Sequence, residues 1–231
     1  PGGDMLVTEK PGRLRVVRDG ELLPEAVTGI PEVHYVGQGG LFDVVLHPNF
    51  SENRWVYISY AKPIEDTSTT AIIRGRFEND RLSNVVEIFA AQATGFGHYG
   101  GKIAFDGDGY LYLTLGDRQA PSVGVLTEHP AQDPTNHQGV IVRLNDDGSV
   151  PDDNPFVGQD GFLPEIWTYG HRSPQGLAIH PETGDLWETE HGPQGGDELN
   201  RIEPGNNYGW PVLGYGVNYG SAGSPIHEGI G

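Results

Sequence analysis

The sequence predicts an all-β fold built from repeated antiparallel sheets. Its 35 glycines and 18 prolines are spread between short apolar runs along the 231 residues, which is typical of a fold dense in turns. Three stretches, which start at Gly40, Gly101 and Gly176, resemble one another, and each reads as a β-hairpin with an apolar run on either side of a turn. The turns lie near positions 50, 107 and 183. Their spacing of roughly 60 to 75 residues suits the four-stranded sheets of a β-propeller.

The strands follow one another in a regular order along the chain. An opening strand pair is predicted in "MLVTEKPGRLRVV", with "KPG" as its turn. The three hairpins come next: "GLFDVVLHPNFSENRWVYISY", "GKIAFDGDGYLYLTLGD" and "GLAIHPETGDLWETEHG". Outer strands are predicted in "TAIIRGRFEND" and "RLSNVVEIFAA" after the first hairpin, and in "GVIVRLNDDGSV" after the second. The acids of "NDDGSVPDD" lack the twelve-residue spacing of a calcium loop, so this segment is predicted to be a hairpin turn.

The chain is interpreted as one domain. Hydrophobic residues make up 36% of it, which is enough to fill a sizeable core. We therefore expect residues 1–231 to form a single β-propeller domain of about four blades. A β-sandwich is the alternative, but it would not predict the return of the same hairpin at long intervals.

Charge and composition exclude several classes of partner. Lysine and arginine total 14 against 32 aspartates and glutamates, so the formal net charge is -18. Such a surface repels phosphate backbones and anionic lipid, and nucleic acid is not an expected partner. The acidic excess is explained either by solvation of the surface or by cation sites. No apolar run approaches the ~18 residues of a membrane span, and there is no cysteine for thiolate chemistry.

Five motifs carry a resemblance to a known family. They are "HPNF", "HYGGKIAFDGDGYLYLTLGD", "GSVPDDNPF", "GHRSPQGLAIHP" and "EHGPQGGDELNRIEPGNNYGWP". From about Gly37 to Tyr219 the chain resembles the soluble quinoprotein glucose/sorbosone dehydrogenases, and more closely their aldose sugar dehydrogenase branch. The last two motifs are the specific ones, because they join rare residue types at fixed spacing over about forty positions.

The resemblance implies an activity and its cofactors. It implies oxidation of an aldose at the anomeric carbon to the lactone, with pyrroloquinoline quinone (PQQ) as hydride acceptor and Ca²⁺ beside it. A dye or a respiratory carrier would then accept the electrons. The family also implies a periplasmic or secreted location. The opening "PGGDMLVTEK" lacks the profile of a signal peptide, so the chain is expected either to be cytoplasmic or to have lost a signal.

The resemblance also implies a larger ring. Family members are six-bladed and about half as long again, whereas this chain accounts for about four blades. Four blades of such a ring would expose sheet edges where the ring should close, which natural propellers avoid. We therefore expect the domain to be incomplete at its C-terminus, so that a missing segment or a second chain completes it.

Two residues are implied as catalytic. His98 occupies the place of the family's general base, and an imidazole titrates near neutral pH, which suits removal of a hydroxyl proton. Gly97 stands where the glucose-oxidising branch has an aspartate, so the group that orients the imidazole is left open. Arg172 lies where the family places a guanidinium against the quinone oxygens, and a fixed cation there would stabilise the oxyanion that forms. The alternatives are an exposed turn histidine and a strand-end arginine.

Other positions are implied as contacts of the cofactor. They are Gln38, Arg172, Ser173, His191 and Tyr219. Ser173 stands where the glucose branch has an asparagine, and His191 replaces a glutamine of that branch. A turn amide at Gln38 and core packing at Tyr219 are the alternatives. His171 is interpreted as structural.

Calcium ligands are implied in the loop that follows the third hairpin. The resemblance assigns the main-chain carbonyls of Gly192 and Pro193 to a calcium beside the quinone, and places Asp197 near its water shell. Hard oxygen ligands of this kind suit Ca²⁺. Glu198, by its side chain, and Tyr208, by its main-chain oxygen, correspond to a second, structural calcium site. A solvated loop acid is the alternative for Glu198.

Two other functions remain open from the sequence. A calcium-dependent lactone hydrolase on a propeller would use a metal to polarise a carbonyl and a histidine to activate water. Such a site would need clustered side-chain carboxylates and asparagines, whereas "EHGPQGG" offers carbonyl oxygens. A non-catalytic binding propeller is the second alternative.

Overall fold

The computed structural model describes residues 3–219 and shows an all-β chain. Its strands form four sheets, all of them paired antiparallel within the described residues. Contacts divide the chain into two compact units, Pro1–Gly97 and His98–Gly231, and each unit carries two of the sheets. In the part of the chain that the structure describes, no helix has the length and apolar character needed to cross a membrane.

The first unit contains a three-stranded and a four-stranded sheet. The smaller sheet consists, in this order, of β1 (Met5–Glu9), β2 (Arg13–Arg18) and β3 (Glu21–Leu22). The larger sheet consists, in this order, of β4 (Leu41–Leu46), β5 (Trp55–Ile64), β6 (Thr67–Glu78) and β7 (Arg81–Ala90). A single helical turn, α1 (Phe50–Asn53), lies in the connection between β4 and β5.

The core of the first unit lies around β5 and β6. Tyr57 and Ile58 are consecutive on β5, and both side chains are fully buried. Because consecutive strand residues point to opposite faces, both faces of this strand are covered. Ile58 packs in one cluster with Leu14 of β2 and Ile73 of β6, so the two sheets of this unit share a core.

The second unit repeats the arrangement. One sheet has the order β11-β10-β9-β8, and the other has the order β12-β13-β14. Their strands are β8 (Ile103–Phe105), β9 (Leu111–Leu115), β10 (Val140–Leu144), β11 (Ile166–Tyr169), β12 (Pro174–Ile179), β13 (Leu186–Glu190) and β14 (Glu198–Ile202). Two 3-10 turns, Leu126–Glu128 and Pro130–Gln132, lie between β9 and β10.

The strands of the second unit set the positions of three loops. All five residues of β9 and all five of β10 are buried, which anchors the segment that follows β9 at Gly116. A short loop, 170–173, joins β11 to β12, and a longer one, 191–197, joins β13 to β14. The candidate site is built on these three loops and on the segment before β8.

The predicted hairpins are confirmed. The opening strand pair turns at Lys10–Gly12, and the three predicted hairpins correspond to β4 with β5, β8 with β9, and β12 with β13. The predicted outer strands correspond to β6, β7 and β10. Three strands were not predicted: β3, β11 and β14. The turn predicted at "NDDGSVPDD" forms, since the N–H of Asn145 donates to the carbonyl of Ser149 at 2.8 Å, but the return strand begins only at Ile166.

Truncation of a side chain in the core of the first unit is expected to lower the free energy of unfolding. Ile58→Ala removes three carbon atoms from a side chain with no exposed surface, and such changes typically cost ~2–5 kcal/mol in the free energy of unfolding. Val86→Ala on β7 is the matched control, because Val86 is 54% exposed, and its cost should be at most ~1 kcal/mol. Urea denaturation of both variants measures the difference. Equal losses would contradict the packing described above.

Candidate active site

His98 lies in the segment that precedes β8, and a carboxylate holds its ring. Its Nδ1 lies 2.6 Å from Oδ1 of Asp117, which is 1% exposed. The backbone of His98 has a φ of +42°, an uncommon value for a residue other than glycine. Strained backbones of this kind often occur at functional sites. A proton on Nδ1 that is donated to Asp117 places the ring's lone pair on Nε2.

Asp117 is itself fixed from several directions. Its Oδ2 accepts a hydrogen bond from Nε1 of Trp210 at 2.8 Å, and its Oδ1 accepts one from the backbone N–H of Gln119 at 2.9 Å. The preceding Gly116 lies so close to His98 that a Cβ there would overlap the histidine's carbonyl oxygen. The bonds from Trp210 and Gln119 thus hold the carboxylate of Asp117 beside the His98 ring. The orienting group that the sequence left open is this aspartate.

Arg172 joins the same framework through backbone and ring contacts. Its carbonyl accepts the N–H of Asp117 at 2.8 Å, and its guanidinium carbon lies 5.2 Å from the ring centroid of Trp210. Its Nη1 donates to the carbonyls of His191 at 2.9 Å and Gly192 at 2.8 Å. Arg172 is only 9% exposed. The two residues predicted to be catalytic, His98 and Arg172, are thus linked through Asp117 and Trp210.

The loop 191–197 carries most of the other predicted ligands. The N–H of Gly192 donates to Oδ1 of Asp197 at 2.9 Å, and Nδ1 of His191 lies 3.8 Å from the other oxygen of that carboxylate. Both side chains are about two-thirds exposed. The hydroxyl of Tyr219, which is also exposed, donates to the carbonyl of Pro193 at 3.2 Å. A Cβ at Gly192 would overlap the carbonyl oxygens of the following turn, so the loop requires glycine there.

Two predicted cofactor contacts, Ser173 and Gln38, lie outside the loop 191–197. Ser173 is 3% exposed, and its hydroxyl accepts a hydrogen bond from Nε2 of Gln175 at 3.1 Å. It therefore already has a partner within the protein. Gln38 belongs to the first unit, where it is exposed and its N–H donates to the carbonyl of Phe96 at 3.2 Å.

A group of acids lies next to Arg172, and we call Glu188, Glu190 and Glu198 the acidic cluster. Glu190 accepts the backbone N–H groups of Arg172 and Ser173 through Oε2. The amide Nδ2 of Asn200 lies within 3.2–3.3 Å of one oxygen of each acid in the cluster. The second predicted calcium ligand, Glu198, is therefore a member of a group that the sequence did not reveal.

Burial changes the acid–base behaviour of this cluster. Burial, with the carboxylate of Glu190 nearby, raises the pKa of Glu188 to about 9. The same two causes raise the pKa of Glu198 above its ordinary value. A cavity of about 10 Å³ lies against Glu190, Glu198 and Arg172. That volume is on the scale of one water molecule or ion.

His171, which the sequence analysis interpreted as structural, is packed inside the second unit. It has no exposed surface, and its ring stacks on Tyr208 with 4.7 Å between centroids. Its Nδ1 lies 3.2 Å from Oε1 of Glu190, and its Nε2 lies 3.0 Å from the hydroxyl of Thr168. Both ring nitrogens are thus engaged, and the ring supports the main chain on which Arg172 is carried.

Sequence reasoning missed Asp117, Trp210, Glu188 and Glu190. Asp117 follows a strand of five buried residues, and a carboxylate at such a strand end is a signal that could have found it. Trp210 lies within the "NNYGWP" part of a quoted motif, but nothing in its spacing indicates a bond to Asp117.

Comparison with known proteins agrees with this geometry. A family model described as Glucose / Sorbosone dehydrogenase matches residues 1–229. The aldose sugar dehydrogenase YliI of Escherichia coli is 44% identical over 223 residues, which cover 93% of this chain and 57% of the relative. The quinoprotein glucose dehydrogenase B of Acinetobacter calcoaceticus is 33% identical over 246 residues, covering 96% of this chain and 51% of the relative. The chain thus spans little more than half the length of these relatives.

A solved structure gives the same result for the fold. The PQQ-bound aldose sugar dehydrogenase of Streptomyces coelicolor matches with a TM-score of 0.80 at 29% identity, covering 97% of this chain and 64% of that one. The predicted fold class, part of an all-β propeller of the quinoprotein glucose dehydrogenase type, is confirmed. With a family model that matches nearly the whole chain, and with relatives above 30% identity, this chain belongs to the glucose/sorbosone dehydrogenase family.

Proposed function

We propose that the protein carrying this chain is a PQQ- and calcium-dependent aldose dehydrogenase that oxidises the anomeric carbon to the lactone. The observation that carries the proposal is the linkage of His98 and Arg172 through Asp117 and Trp210. These contacts hold the proposed base, His98, and the cation, Arg172, in the same part of the second unit. A dye or a respiratory carrier accepts the electrons, and the protein works in the periplasm or after secretion.

His98 is the general base of this proposal. With the Nδ1 proton donated to Asp117, Nε2 would be the acceptor for the anomeric hydroxyl proton. The carboxylate, which Trp210 also holds, then stabilises the imidazolium that results. The substrate class is an aldose, which agrees with family membership.

The residues at Arg172 fit a quinone. PQQ, when bound, accepts the hydride that leaves the anomeric carbon. Within the described residues Nη1 alone makes both guanidinium hydrogen bonds, so the rest of the planar fork is available to bind ligand oxygens. Arg172 would stabilise negative charge on such an oxygen. Gln38, Ser173, His191 and Tyr219 are proposed as further contacts.

The carbonyls of the 191–197 loop fit a calcium ion. The carbonyl of Gly192 accepts a bond from Arg172, and that of Pro193 accepts one from Tyr219. A carbonyl oxygen has two lone pairs, so each retains one for a hard cation. Asp197 would bind through the water shell of this ion, while Glu198 and the main-chain oxygen of Tyr208 would hold a second calcium.

Asp117→Asn tests the orienting role of this carboxylate. An amide has one acceptor oxygen, whereas Asp117 accepts from Trp210 on one oxygen and from Gln119 on the other. If the amide oxygen faces Trp210, its NH₂ group faces Nδ1 of His98 and favours the tautomer with the proton on Nε2; if the oxygen faces His98, the NH₂ group meets the N–H of Trp210 and the support of the ring is lost. We expect turnover to fall by about 10²-fold, the lower end of a general base's contribution, while PQQ binding stays within error. Asp160→Asn, which removes the same charge from an exposed position of the second unit, should have no effect. Parent-like turnover in Asp117→Asn would show that the contact between His98 and Asp117 has only a structural role.

Steady-state assays test the proposed function as a whole. The protein is reconstituted with PQQ and CaCl₂, and dye reduction is followed with a panel of aldoses. Reduction that requires quinone and sugar supports the proposal. Lactone hydrolysis without quinone would indicate instead a calcium-dependent hydrolase, and an unchanged quinone spectrum with no turnover would indicate a binding propeller.

A further inference from the structure

The acidic cluster occupies one face of the sheet formed by β12, β13 and β14. Glu188 and Glu190 are two residues apart on β13, so their side chains point to the same face. The register places Asn200 opposite Glu188 and Glu198 opposite Glu190. Like charges directly opposite each other destabilise an antiparallel pair. A positive charge between the strands would relieve this repulsion.

The protein does not supply enough hydrogen-bond donors to the cluster. Nδ2 of Asn200 has two hydrogens, but it lies near one oxygen of each of three carboxylates. Glu188 is 1% exposed, and among the described residues its Oε1 has no hydrogen-bond partner. A buried polar atom left in this state is costly. The atom therefore points to a ligand from outside the protein.

The distances suit a metal ion. Potential ligand atoms of His171, Glu188 and Glu190 all lie within 4.8 Å of one another, and all three side chains are buried. Two oxygens that bind the same Ca²⁺ at 2.3–2.6 Å lie at most about 5 Å apart. One ion can therefore reach the carboxylates of both Glu188 and Glu190, and Nδ2 of Asn200 lies 3.2–3.3 Å from one oxygen of each of these acids and of Glu198 on β14.

The donor set favours calcium over a transition metal. Both nitrogens of His171 are already engaged, one by Glu190 and the other by Thr168. His171 therefore orients the cluster and leaves it with oxygen donors only. Oxygen donors with several carboxylates are typical of Ca²⁺, whereas zinc sites include nitrogen or sulfur.

We propose that Glu188 is a ligand of the structural calcium, with Oε1 as its donor atom, so that the ion bridges β13 and β14. This inference rests on the calcium at Glu198 and Tyr208 in the proposed function. Glu190 binds the backbone of Arg172 and Ser173 and lies opposite Glu198. Occupancy of the site therefore also stabilises the segment that carries Arg172.

Calcium titration of the EGTA-treated protein tests this inference without any need for catalysis. Calorimetry and thermal unfolding are measured for the parent, for Glu188→Gln and for Glu182→Gln, which removes the same charge from an exposed turn position. Calcium should raise the melting temperature of the parent, since it binds only the folded state. Glu188→Gln should bind calcium roughly 10-fold more weakly or worse. Without calcium it should melt at or above the parent temperature, because the buried carboxyl group of Glu188, which lacks a partner at Oε1, is gone. Glu182→Gln should match the parent.

Each other outcome has a definite meaning. Parent-like calcium affinity in Glu188→Gln, with Glu198→Gln impaired, overturns the role of Glu188 and leaves the proposed calcium site in place. No calcium binding by the parent overturns both, while quinone reduction remains a separate test of the proposed enzyme. Tighter binding of Zn²⁺ than of Ca²⁺ would contradict the oxygen-only ligand set. Should Glu188→Gln not fold, Glu188→Asp withdraws the carboxylate by one methylene, and unchanged affinity in that variant overturns the inference.

Discussion

His98→Ala is expected to lower aldose turnover by ~10² to 10⁴ while PQQ binding stays nearly intact. The variant removes the proposed proton acceptor but leaves Arg172 and its carbonyl partners in place. Dye-linked turnover at saturating aldose measures the loss. Titration of the quinone absorbance measures binding on the same samples.

The matched control for this variant is His180→Ala. His180 is exposed in the turn between β12 and β13, so it shares the residue type but not the contact with Asp117. It should keep parent turnover. If His98→Ala oxidised aldoses at the parent rate, another residue would be the base.

Arg172→Ala is expected to slow reduction of bound quinone by ~10² to 10³. A preorganised cation in a site shielded from water stabilises a developing negative charge far more than it would in bulk solvent. Arg172→Lys should lie between the parent and Arg172→Ala, because an ammonium keeps the charge but lacks the planar fork. Both variants should also bind PQQ less tightly, since in the proposed site the guanidinium also contacts the oxidised quinone before hydride transfer.

Arg201→Ala serves as the control for the loss of an arginine. Arg201 is about half exposed on β14 and pairs with surface acids. Stopped-flow reduction of bound quinone by an aldose should give the parent rate in this variant. Equal rates in the parent, Arg172→Lys and Arg172→Ala would show that Arg172 is only a structural strand-end residue.

The hairpins could be predicted from sequence because their signals are local. In β8 with β9, for example, apolar runs flank a turn that contains Asp106 and Gly109, and strand, turn and strand lie within 13 residues. β14 was missed because "DELNRI" has four polar or charged residues and only two apolar ones, and it follows directly on a loop rich in glycine. Its strand character comes from pairing with β13. That pairing depends on the tertiary structure, which local sequence patterns do not reveal.

The same limit applies to the site. The resemblance predicted His98 and Arg172, because the motifs around them combine rare residues at fixed spacing. Asp117 was missed because it follows His98 by 19 residues, and only the pairing of β8 with β9 brings the two together. From the sequence alone Glu188 looks like any acid on a strand, and its role depends on the register that places it opposite Asn200. In both cases the chemistry depends on which strands are neighbours.

The central claim is that the protein uses a sugar to reduce a quinone at the site of His98 and Arg172. The most direct measurement is anaerobic: the protein is loaded with PQQ and Ca²⁺, an aldose is added without dye, and the absorbance spectrum of bound PQQ is followed in a stopped-flow instrument. The account predicts conversion of the oxidised spectrum to that of the quinol, at a rate that falls in His98→Ala and in Arg172→Ala. An oxidised spectrum that persists with every aldose, on protein shown to have bound PQQ, would contradict it.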